Sequence, residues 1–221
     1  MKKVILTTIL SLSITSAFAA ETAVLKVTGT LTNSSCTVEL GNGGVFDYGA
    51  IHLGELSATE SNVIGEKQLP ATIHCSAPTK VGFTLTDNRS DSNAGLTVPV
   101  GTTGGSTSAK YKTYGVGTTT NGVKIGSYAM WTMDPTVDGN SVDGIAHNLD
   151  WPDGKWTAAS GPRSDAFSIL TFAEKGTTTP MPITTASFNF VTNLVISDTA
   201  TLAITDDTAL DGQTTMTLVY L

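Results

Sequence analysis

The chain has 221 residues, of which 14% are charged and 40% hydrophobic, and its formal net charge is −7. Its 12 basic side chains are scattered among 19 acidic ones, so no basic patch exists for nucleic acid to meet. Abundant threonine, 22 glycines and no apolar spacing of helical period over three turns make the composition all-β.

Met1-Lys2-Lys3 opens an apolar stretch that closes in Ala17-Phe18-Ala19. A small residue, any residue and a second small residue after a basic start is the pattern of a secretory signal peptide, here 1–19. Thr7, Thr8, Ser11, Ser13, Thr15 and Ser16 dilute the stretch, and a membrane span needs about 20 mainly apolar residues. The mature chain, 20–221, is long enough to bury a core of its own and is expected to form one domain.

Along the mature chain, strand-like runs occur at 23–31, 37–40, 67–74, 81–86, 124–133, 166–171, 186–191, 194–204 and 214–221. Gly-Asn-Gly-Gly at 41–44, Asp-Asn-Arg-Ser-Asp at 87–91, Gly-Thr-Thr-Gly-Gly at 101–105, Asp-Gly-Asn at 138–140 and Pro-Asp-Gly at 152–154 supply turns. Many short strands between turns predict a sandwich or barrel. The middle, about 88–182, is richer in glycine, threonine and proline and holds Trp131, Trp151 and Trp156. It is expected to be a long loop or hairpin insert on the sandwich, because tryptophans need something to pack against.

Cys36 and Cys75 are the two cysteines, and both follow the signal. An even count in an exported chain argues for one disulfide; two separate thiols are the alternative. A metal site is disfavoured, since only His74 stands beside Cys75 and neighbours on a strand face opposite ways. Asp134, Asp138, Asp143, Asp150 and Asp153 lack the spacing of a calcium loop and suit turns. His52, His74 and His147 are far apart, no nucleophile motif occurs, and neither catalysis nor a cofactor is expected. Trp151 and Trp156, beside Asp153, offer a glycan platform, although a tryptophan in a β protein more often packs.

Both ends of the mature chain alternate. Ala23, Leu25, Val27, Gly29 and Leu31 share one face near the start, and Thr214, Met216, Leu218 and Tyr220 share one near the end. The segment Val27-Thr-Gly-Thr-Leu-Thr-Asn-Ser-Ser-Cys36, the second cysteine in Leu69-Pro-Ala-Thr-Ile-His-Cys75, and the ending Gly212-Gln-Thr-Thr-Met-Thr-Leu-Val-Tyr220-Leu221 together resemble chaperone–usher pilins. Phe46-Asp-Tyr-Gly-Ala-Ile51, Asp87-Asn-Arg89 and Asp150-Trp-Pro-Asp-Gly-Lys-Trp156 are more narrowly similar to the beta-fimbriae major subunits. The resemblance covers about 20–90 and 185–221.

That resemblance implies an immunoglobulin-like sandwich lacking its last strand, with an apolar groove open beside the C-terminal strand. A strand of a periplasmic chaperone fills such a groove first, and another fimbrial subunit replaces it at an outer-membrane usher, giving a fimbrium at the cell surface. Thr214, Met216, Leu218 and Tyr220 are then expected along one lip. The bland alternative is a complete sandwich whose last strand pairs internally. The extension ahead of the first strand, about 20–26, is short, so Ala23, Val24, Leu25 and Val27 make a meagre donor strand. A carbohydrate-binding tip adhesin is the second reading, through Trp151 and Trp156, and a secreted hydrolase the third.

Overall fold

The computed structural model describes Val27, residues 35–101 and residues 104–221. The signal peptide and the run 23–31, with Ala23, Val24 and Leu25, lie outside the described residues, apart from Val27, which is exposed. Residues Ser34–Leu221 form one compact unit.

The described residues form an all-β sandwich of 13 strands: β1 (Cys36–Leu40), β2 (Asn62–Thr79), β3 (Val81–Asp87), β4 (Val98–Val100), β5 (Gly105–Thr107), β6 (Thr113–Gly115), β7 (Gly126–Val137), β8 (Asn140–Ser141), β9 (Asp143–Asn148), β10 (Thr157–Ala158), β11 (Ser168–Ala173), β12 (Ile183–Ile196) and β13 (Thr214–Tyr220). One sheet runs β1-β2-β12-β7-β6, with β8 added on β7, and the other runs β10-β9-β11-β3-β13. All pairings within them are antiparallel. A separate β4–β5 hairpin completes the described strands.

Alternation builds the core. In β2 the side chains of Leu69, Ala71, Ile73 and Cys75 are buried, while Pro70 and His74 between them, and Gln68 just before, are exposed. Aromatic rings fasten the two sheets to each other. Phe83 of β3 lies parallel to Phe188 of β12 at 5.5 Å and edge-on to Phe190 at 5.8 Å, and Phe172 of β11 tilts against Phe188 at 5.3 Å. Such pairs add about 0.5–1.5 kcal/mol each beyond the area they bury.

Two sequence expectations change here. The runs 186–191 and 194–204 are one strand, β12, which ends at Ile196; a short helix, α1 (Thr199–Leu202), follows. Asp198 caps that helix, its carboxylate accepting from the Thr201 N–H at 2.8 Å. Thr192 and Asn193, which look like an interruption, are buried within the strand. The Thr192 carbonyl and hydroxyl meet the Tyr48 hydroxyl, and the Asn193 amide donates to the Pro99 carbonyl. Both faces of this stretch are covered, because Val98 of β4 packs with Ala129 and Val195 on the outer side, and alternation is lost where both faces are dry.

The span 88–182 is not an appendage. It supplies β4 to β11, with β7 and β11 at interior positions of the two sheets. Its strands are mostly two to six residues long, too short to display a period, and threonine and serine fill buried positions such as Ser168 and Thr171. The expected turn at 138–140 is the β7–β8 hairpin, with φ of 49° at Asp138 and 81° at Gly139. Two successive positive φ values suit the twist of a tight hairpin.

Candidate strand-accepting groove

β13 pairs along its whole length with β3, in a register from Thr214↔Asp87 to Tyr220↔Val81. Among the described residues no strand pairs with its other edge. An antiparallel strand turns alternate N–H and C=O groups to either side, so this edge presents unpaired backbone polar groups. Beside it opens a groove of about 960 Å³.

The groove floor draws on both sheets: Leu85 of β3, Leu69 of β2, Phe190 and Leu194 of β12, and Tyr128 and Met130 of β7. One lip is the irregular segment 44–53, with Phe46, Tyr48 and Ile51 half-buried against the core. The other lip is the segment 204–210, continuing into Gly212, Gln213, Thr214 and Met216. The floor side chains are almost wholly buried, whereas Leu40, Val45 and Leu210 at the mouth are 40%, 56% and 36% exposed. The groove is therefore apolar at its floor, and part of the apolar surface at its mouth is left to water.

Polar ties hold the lips in place. The Tyr48 hydroxyl sits 3.0 Å from the Thr192 hydroxyl, pinning the irregular lip to β12. The Tyr128 hydroxyl lies 2.6 Å from that of Thr214, pinning the start of β13 to the floor. Burial pushes the Tyr128 phenol well above its ordinary pKa, so it stays neutral and its hydrogen bond is available at any physiological pH. Asp87, at the end of β3, accepts from the Arg89 N–H at 2.8 Å and the Gly115 N–H at 2.9 Å. Burial raises its pKa, and those two N–H groups oppose the rise. Arg89 in turn pairs with Asp211 at 2.8 Å, fixing the approach to β13.

The four residues expected along one lip divide. Thr214 and Met216 line the groove. Leu218 is half-buried against the core, and Tyr220 is 55% exposed; neither lines the cavity. The Tyr220 hydroxyl instead accepts from the Cys36 N–H at 2.9 Å, which ties that end of β13 to the start of β1. Cys36 and Cys75 form a disulfide between β1 and β2, at positions directly opposite each other. The lip residues Phe46, Tyr48 and Ile51, together with Leu210, escape periodicity because they stand in irregular backbone.

The three tryptophans separate. Trp131 is buried in β7, Trp156 is half-buried with its ring 5.6 Å from that of His147, and Trp151 is 45% exposed. Next to Trp151, Asp150 pairs with Arg163 at 2.9 Å, and Arg163 also grips Asp165 through two nitrogens. The same guanidinium lies over the rings of Tyr111, at 4.7 Å, and Phe167, at 5.6 Å. Burial works to raise the pKa of Asp165, but the hydrogen bonds from Arg163 and the Phe167 N–H outweigh it and hold that carboxyl below its usual range.

A group whose folded pKa is lowered adds stability above its usual value and loses it as the pH falls through the lowered one. Replacing Arg163 by methionine should therefore cost about 1–2 kcal/mol near neutral pH, after allowance for partial exposure. The difference between the two proteins in urea melts should be full at about pH 7 and should shrink progressively as the pH falls below the ordinary aspartate pKa of about 3.9. A difference that persists in acid would show that packing on Tyr111 and Phe167, not the carboxylates, accounts for the effect.

Fold and groove together define an all-β sandwich protein whose last strand has, among the described residues, one unpaired edge beside an apolar channel. A family model described as "Protein of unknown function (DUF1120)" matches residues 25–129, which include both cysteines and the irregular lip. Two proteins of Escherichia coli K12 are similar over most of the chain. One, "Uncharacterized protein YhcF", is 29% identical over 93% of this chain and 93% of its own. The other, "Protein GltF", is 28% identical over 89% of this chain and 87% of its own. These similarities are compatible with a fimbrial-type protein and do not single out a particular fimbrial family.

Proposed function

We propose that this chain is an exported, non-enzymatic structural subunit of a surface fibre, and that the groove beside β13 accepts an extended strand from another polypeptide. The observation that supports this most is the coincidence of two features: an edge strand with a row of backbone groups left free among the described residues, and an apolar cavity of about 960 Å³ beside it. Each alone is ordinary. Side by side they match what an added strand needs, main-chain pairing on the edge and pockets for alternate side chains. An exposed edge with apolar surroundings otherwise invites aggregation, which a periplasmic chaperone strand would prevent before a neighbouring subunit takes its place at an outer-membrane usher.

A synthetic strand of alternating valine and threonine should bind the mature protein and slow hydrogen exchange at alternate β13 amides. Binding that left β13 exchange unchanged would place the peptide elsewhere and remove this reading. A second reading, a glycan-binding adhesin, draws on exposed Trp151 beside the Arg163-held Asp150. On a glycan array it requires a signal that Trp151→Ala abolishes.

A further inference from the structure

The charges at the groove mouth are of one sign. Asp47 stands on one lip and Asp206 and Asp207 on the other, all three exposed, and no lysine or arginine lines the cavity among the described residues. Asp47 accepts from the Gly49 N–H at 2.7 Å, and Asp206 has the Thr205 hydroxyl at 3.4 Å. Among the described residues none of the three has a salt bridge. Asp211, further along the same lip, differs, since Arg89 neutralises it. One cation does approach a groove residue: Lys67, 5.9 Å from the ring centre of Tyr48.

Carboxylates on both sides of an apolar channel lose solvation when something fills it, and like charges across the gap repel. A neutral or acidic strand meets that penalty uncompensated, whereas a basic side chain beside the apolar run turns it into attraction and speeds encounter. We infer, on the reading of the groove as a strand acceptor, that its occupant is a basic segment of a different protein: apolar residues in alternation, flanked by lysine or arginine that meets Asp47, Asp206 and Asp207. With a net charge of −7, a second copy of this chain is the poorer match.

The test uses the full mature chain and three peptides, two of about ten residues, a strand's length, and a longer third. Two carry the same valine–threonine alternation flanked by lysines or by glutamates, and the third is drawn from residues 20–34 of this chain, with its single Lys26. The lysine peptide should bind about tenfold tighter than the glutamate peptide at low salt, and the preference should shrink to about twofold or less as the screening length falls from about 30 Å to about 3 Å. In Asp47→Asn/Asp206→Asn/Asp207→Asn, with an unchanged circular dichroism spectrum, the preference should vanish at low salt as well. Equal binding of the lysine and glutamate peptides, or tightest binding of the 20–34 peptide, overturns the basic-partner inference while strand acceptance stands. If none of the three binds, strand acceptance falls too.

Discussion

A strand of alternating valine and threonine, fused after Leu221 through a flexible glycine–serine linker, should stabilise this protein by about 4 kcal/mol. The fused strand can turn back along the free edge of β13 and lay its apolar side chains over Leu69, Leu85 and Phe190. A short flexible tether supplies an effective concentration on the order of millimolar. If the free strand binds with a dissociation constant of about a micromolar, that is roughly 1,000-fold saturation, which corresponds to about 4 kcal/mol of linkage stabilisation. A control fusion with serine in place of valine keeps the tether and the backbone donors but not the apolar side chains, and should recover little of the gain. Urea melts of the three proteins decide the matter. Equal stability in all three would mean that the cavity beside β13 does not accept a strand.

Loss of the disulfide should have an effect of similar size and opposite sign. Cys36 and Cys75 are 39 positions apart, and freeing a loop of that length costs about 4 kcal/mol on the chain-entropy account. Local structure makes the site sensitive. β1 is a five-residue edge strand that pairs only with β2 among the described strands, and the residue that anchors it covalently also donates its N–H to Tyr220. The double variant Cys36→Ser/Cys75→Ser should therefore melt at lower urea and expose Leu40, Val38 and the Tyr220 end of β13 to exchange first. The oxidised wild type should weigh two hydrogens less than the reduced form. A reduced protein as stable as the oxidised one would show that the β1–β2 pairing holds without the bond.

The all-β class and the strand character of the last segment were legible, because half-buried strands write their geometry as alternation. The run 67–74 sits inside β2, 81–86 inside β3, and 214–221 spans β13. Where both faces are covered, the signal fails. β12 continues through Thr192 and Asn193 because a hairpin from elsewhere in the chain shields its outer face, and no local pattern announces that cover. Strands β9 and β10 likewise exist because β11 and each other pair with them, not because their few residues prefer extended structure.

The groove divides in the same way. Thr214 and Met216 were visible as one face of a terminal strand, but whether that face met a partner strand or an opening depended on what lay beside it. The sequence by itself determined an all-β chain with a cysteine pair and an amphipathic last strand, since each of these is written in neighbouring or regularly spaced residues. Only the tertiary structure decided that the last strand keeps one edge free among the described residues, that irregular residues 44–53 form the facing lip, that Tyr220 is tied to Cys36, and that three aspartates gather at the mouth. These are relations between segments up to about 180 residues apart, fixed by hydrogen-bond pairing and by which surfaces can be kept from water.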